Sequence, residues 1–273
     1  DPNSQGQTLE NKLSQGRIKG MLPLIALLIT LPFHFSPPLF CIGNGRSEPL
    51  FFFYSLRNSH LDNMALGFKK SGLNKKDWNT LKKLSTPKKI QDFVNSLSFN
   101  FEAKRRTYMS VTRTLKAKKA HCFEGALLAA AALWVQGQKP LLLDLVAKEP
   151  DDDHVVALFK RGNKWGAISK TNHAVLRYRD PIYVSVRELA MSYFNEYFLK
   201  NGRKTMRSFS KPFNLSNYGT MWLMGKEELF EIAHDLDNSP HTRILRGANA
   251  RILRKADSIE IETGEVVEWK RKE

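Results

Sequence analysis

The chain is poor in cysteine, and its acids are far outnumbered by its bases. Its 273 residues include two cysteines, Cys41 and Cys122. Two are too few for a disulfide framework, and a reducing compartment suits them without being required. His121 and Cys122 stand side by side, but one such pair is not zinc-ligand spacing. No Gly-rich phosphate loop, dinucleotide fingerprint or internal repeat is present. Neither a metal nor an organic cofactor is therefore implied. Acids number 27 against 43 Lys and Arg, a formal charge of +16. Residues 1–63 are nearly neutral. Between Lys69 and Lys119 fifteen cations face only Asp77, Asp92 and Glu102. Such a field attracts acidic protein, anionic lipid or nucleic acid without reading sequence. A plainly solvated surface explains it equally well. No stacked-aromatic RNA motif accompanies the charge.

An apolar run at residues 21–33 follows Arg17 and Lys19. It has the outline of a signal-peptide core but is too short to cross a bilayer as a helix. No A-x-A cleavage site follows it, and Phe40 before Cys41 is not the small residue of a lipoprotein signal. Two readings compete. Residues 21–33 export or anchor the chain, or a cytoplasmic protein begins at Met64. Amphipathic patterning starts only near Met64, which favours the second and makes the membrane no partner of the folded part. The expected organisation is a poorly structured segment 1–63, a principal domain 64–200, and an extension of that domain at 201–273.

What the chain does have is helical patterning followed by strands. Asn74 can cap a helix with Trp78, Leu81 and Leu84 on one face. Thr86 and Pro87 open another, carrying Ile90, Phe93, Val94 and Leu97. Residues 98–117 read as loop with room for one short helix. Residues 122–136 are apolar nearly all round, so that helix belongs in the middle of the fold, and Gly137 can end it. Residues 140–146 read as a strand. His154 opens the apolar stretch 155–159; Gly162 and Asn163 turn the chain, and 164–169 returns as the second strand of a hairpin. Beyond it the pattern predicts irregular chain at 171–179 and a break at Asp180 and Pro181. A helix at 183–198 follows, rich in aromatics, then loop at 201–220 and a helix at 227–236. The last expectation is strands within 250–269 turning at Thr263 and Gly264.

Cys122 heads the apolar helix, close behind Lys118, Lys119 and His121. Unpaired backbone N–H groups, the positive end of the helix dipole and nearby cations all favour thiolate over thiol there. His154 is the candidate base, since imidazole titrates near neutrality and can pair with a thiolate. The plainer alternatives are a cysteine that only packs and a surface histidine beside Asp151, Asp152 and Asp153. His121 can assist the thiol, and His173 can replace His154 if the strand register differs.

The series Cys122, helix, His154 with Val155 at a strand start, then Trp165 on the next strand resembles the transglutaminase-like superfamily in its bacterial type. The likeness covers roughly residues 84–185. It implies an α+β, papain-like fold, with a central cysteine-bearing helix against an antiparallel β-sheet. It also implies a cysteine hydrolase or acyltransferase acting on an amide bond of a protein or peptide. The family places Asp four residues after the tryptophan, where this chain has Ser169. The third member of a triad, which holds the imidazole in its working tautomer, is then Ser169 or Asn172, with Asp180 an outsider. A catalytically inactive module that binds a peptide or an anionic partner is the alternative.

Overall fold

The computed structural model describes residues 65–102, 106–245 and 247–270. The run 21–33, Cys41 and Met64 lie outside them. The organising element is the helix Cys122–Val135, in which residues 123–134 are all buried. A helix apolar on every side has no face for water, so other layers enclose it. The helices Lys75–Lys83, Pro87–Ser96 and Val111–Ala117 pack against it, as does a sheet. The first two start where their caps predict. The Asn74 side chain accepts the Asp77 N–H at 2.9 Å, and Thr86 accepts that of Lys89 at 3.2 Å.

Two short strands, β1 (Ser98–Phe99) and β2 (Lys119–Ala120), pair in parallel just before the cysteine helix. The main sheet comprises β3 (Leu141–Ala147), β4 (His154–Arg161), β5 (Lys164–Ser169), β6 (Arg179–Tyr183), β7 (Met206–Ser210), β8 (Phe213–Asn214) and β9 (His241–Arg243). Its order is β6-β5-β4-β3-β7-β9, with β8 sharing the edge of β3 that β7 also uses. All its pairings are antiparallel. The class is α+β.

Strand alternation divides the core in two. Val155, Ala157 and Phe159 of β4 join the cluster around the cysteine helix. Val156 and Leu158 join a second cluster on the other face, with Leu189, Tyr193, Tyr197, Met206 and Phe209. Gly125 sets how closely the helix approaches the chain after β5, since a Cβ there would lie 2.4 Å from Cβ of Lys170.

The second half departs from the sequence pattern in four places. Asp180 and Pro181 do not break the chain; they lie inside β6, where an edge strand needs no inward N–H from proline. The expected helix 183–198 shrinks to Val186–Met191 and a 3-10 turn, Phe194–Glu196, although Tyr193 and Tyr197 are core residues. The polar stretch 201–220 supplies β7 and β8, because its few apolar residues, Met206, Phe209 and Phe213, pack against the sheet's second face and the helix cluster. Residues 250–269 form no hairpin; Thr263 and Gly264 end the helix Ser258–Glu265, which Asp257 and Glu260 cap. The helix 227–236 is present as Phe230–Asp237.

Candidate active site

Cys122 is the first residue of its helix and is half-buried as a free thiol. What fixes its surroundings is Glu124, a fully buried carboxylate. That carboxylate accepts the backbone N–H of His121 at 3.1 Å and of Met109 at 3.2 Å. It also accepts Nδ2 of Asn100 at 3.0 Å and Oγ1 of Thr107 at 2.8 Å. Four donors satisfy a charge that burial alone would not tolerate. With its backbone so held, His121 donates from Nε2 to the Thr107 carbonyl at 2.7 Å, and its Nδ1 lies 4.0 Å from Sγ of Cys122. The carboxylates of Glu102 and Glu124 each stand 3.6 Å from Nε2.

Burial alone would neutralise both partners. For His121 it is outweighed by the hydrogen bond and charge of Cys122, then by Glu124 and the Thr107 carbonyl, so its pKa rises to about 9. For Cys122 burial pushes the thiol up, but hydrogen bonds from His121 and His154 and their charges bring it down to about 5. Between those values the favoured state is a thiolate beside an imidazolium.

His154 comes from the first residue of β4 and is buried, 6% exposed. Its Nε2 is 2.8 Å from Oγ of Ser169, the last residue of β5. The Ser169 hydroxyl donates its own hydrogen to the Leu176 carbonyl at 2.5 Å. Its oxygen is left to accept, so the proton on that side belongs to His154 Nε2, and Nδ1 is the nitrogen free for the thiol. The Ser169 backbone is pinned by Gln91, whose Nε2 donates to the Ser169 carbonyl at 2.8 Å and whose Oε1 accepts the Ser169 N–H at 2.9 Å.

Cys122, His154 and Ser169 thus meet, and His121 joins them. Asn172 does not. Both ends of its side chain are taken by the backbone of Trp269, at 2.8 and 3.0 Å. It fastens the C-terminal segment to the loop after β5 instead of orienting an imidazole. His173 is likewise occupied, with Nδ1 donating to the Gly264 carbonyl at 2.8 Å, and Asp180 lies exposed on β6. Two supporting residues had no place in the sequence reading. Glu124 carried a signal, since an acid three residues after a cap position is the capping-box pattern. Gln91 carried none, being 78 residues from the strand end it holds. Trp165 is partly buried against the second core, with Lys160 Nζ 4.2 Å above its ring.

Among the described residues no group of three or more His, Cys, Asp or Glu is arranged to hold a metal ion. No helix among them is long and apolar enough to cross a membrane. No protein-family model matches the chain, and no curated protein matches it either.

Proposed function

We propose that this chain is a transglutaminase-like cysteine hydrolase or acyltransferase with a papain-like core, acting on an amide bond of a protein or peptide. The observation that carries the reading is the Cys122 thiol at a helix start, in contact with both His121 and His154, with His154 held by Ser169. The thiolate attacks the amide carbonyl carbon and the oxygen takes up the negative charge. The Cys122 backbone N–H, at the start of its helix, is a donor for that oxygen. As the carbon–nitrogen bond breaks, His154 passes to the leaving amine the proton that its Nδ1 took from the Cys122 thiol, and a thioester remains on Cys122. Water, or a second amine, then adds to the thioester. His154 takes up the proton of the incoming group, and the thiolate departs. Ser169 does the tautomer-fixing work of the family's carboxylate, through an oxygen whose own hydrogen is committed to Leu176.

The first test is the rate of Cys122 alkylation by iodoacetamide against pH. The expected profile rises through about pH 5, following the depressed thiol, and is flat at neutral pH. His154→Ala should move the midpoint upward. A midpoint at the ordinary value of about 8.5, unmoved by that substitution, would leave only a packing cysteine. The second test is mass spectrometry of the protein incubated with a glutamine- or asparagine-containing peptide, looking for a hydroxylamine-labile adduct on Cys122.

A further inference from the structure

A groove with a volume of about 760 Å3 opens between the helices Lys75–Lys83, Pro87–Ser96 and Val111–Ala117. None of the residues that line it is Cys122, His154 or Ser169, so it is a feature separate from the thiol centre. Its volume is in the range of ligand-binding clefts. Its apolar lining is Phe93 and Leu115, both half-buried, and Leu97, buried. Its polar rim carries three exposed lysines, Lys76, Lys116 and Lys118, from two different helices and the residue that follows the second.

The other charges lining the groove are already engaged. Arg113 pairs with Glu228 at 2.7 Å and donates to the Glu227 carbonyl at 3.1 Å. Asp77 is held by Asn74, whose Nδ2 donates to it at 2.7 Å. No ion pair within 4.0 Å involves Lys76, Lys116 or Lys118 among the described residues. Three free cations thus surround an apolar strip, in the most basic part of a chain of charge +16. Like charges brought this close raise the energy of the empty groove, and a negatively charged occupant lowers it.

We infer that this groove binds an acidic peptide segment that carries an apolar side chain between its carboxylates. Carboxylates reach the rim lysines while the apolar group covers Phe93, Leu97 and Leu115. A nucleic-acid backbone meets only half of this. Its phosphates satisfy the lysines, but the apolar strip stays uncovered, and the arginine fork that suits phosphate is spent on Glu228. The inference stands on the groove alone and does not depend on the chemistry of Cys122.

The test is fluorescence anisotropy of a short fluorescein-labelled peptide of alternating Glu and Leu, titrated with the full chain. Saturable binding is expected, weakened about tenfold or more by the double reversal Lys76→Glu with Lys116→Glu, as loss of close charge pairs predicts. Both positions are exposed, so the variant folds, and circular dichroism checks this. A matched peptide of alternating Gln and Leu should bind at least tenfold more weakly. The inference is overturned if the acidic peptide does not saturate, if the reversal leaves its affinity unchanged, or if the neutral peptide binds equally. Tighter binding of a single-stranded oligonucleotide in the same salt would also overturn it. Alkylation of Cys122 is read separately, so failure here leaves the thiol proposal standing, and the converse holds.

Discussion

The chemistry of the site turns on where single protons sit. The Ser169 hydroxyl has one hydrogen, and it goes to the Leu176 carbonyl. Everything His154 does toward Cys122 follows from that, because the serine oxygen can then only accept. Ser169→Ala removes the acceptor, leaving Nε2 of a buried imidazole and the Leu176 carbonyl without their partner. The proposed amide-cleaving activity is expected to fall by on the order of a hundredfold or more, the scale at which loss of the orienting group acts in nucleophile–histidine systems. The pH profile distinguishes this from simple loosening. The thiol's alkylation midpoint should rise while the far-UV spectrum stays unchanged. His121 makes the complementary case. Its value is pushed to about 9, so at neutral pH it is a fixed cation, and His121→Gln should slow alkylation at pH 6 far more than at pH 9.

At the scale of elements, two close approaches hold the site together. Gly125 lets the cysteine helix lie against Lys170, the residue after Ser169, and Lys170 sends its buried ammonium to the Leu97 carbonyl. Burial lowers the pKa of that amine to about 8. In an isolated helix Gly125→Ala would gain about 1 kcal/mol of helix propensity. Here the added methyl meets Lys170 Cβ, so a net loss of about 1–3 kcal/mol is expected from overpacking. Urea denaturation measures it, and a stabilised variant would refute the close-packing argument. The loop after β5 is the other approach. It is tied to the C-terminal segment through Asn172 and Trp269, through the Ala174 N–H on the Val266 carbonyl, and through Arg177 with Glu268 at 3.3 Å. Asn172→Ala cuts two of these bonds. It should speed hydrogen exchange of residues 172–177 and leave the Cys122 midpoint where it is. A catalytic amide would have shifted that midpoint.

For the molecule as a whole, the late strands complete the sheet, and a half-buried histidine facing a buried carboxyl group ties them to its centre. His241 on β9 places Nε2 3.2 Å from Oδ2 of Asp144 on β3, two strands away, and Nδ1 donates to the Ser239 carbonyl at 2.6 Å. Partners on both nitrogens favour the doubly protonated ring. Its pKa is raised by the Asp144 hydrogen bond, against burial, with Ser239 and Asp153 adding to the rise. A raised value contributes stability fully present below the ordinary histidine pKa of about 6.5 and lost as pH rises through the folded value. The cost of His241→Gln should therefore be largest near pH 5 and shrink in alkaline buffer. Thermal melts of the two proteins across that range check it, and a constant difference in Tm would rule out the charged pair.

Much of the first half was legible in the sequence because its signals are local. Asn74 and Thr86 cap where the pattern puts them, residues 122–136 are too apolar to be anything but central, and the turn at Gly162 and Asn163 pairs 154–161 with 164–169. The second half was misread where local preference is weak. Polar 201–220 becomes strand only because β3 offers a free edge, and Pro181 is tolerated only because β6 lies outermost. For the site, composition and spacing chose Cys122 and His154, since a thiol at a helix start and an imidazole at a strand start are properties of neighbouring residues. The hydrogen-bond partners that Ser169 and Asn172 take, the contacts that raise the pKa of His121, and the grip of Gln91 on Ser169 were decided by the tertiary structure alone. Each depends on which hydrogen-bond partners arrive from distant parts of the chain, and a buried donor or acceptor takes whatever partner the fold brings to it.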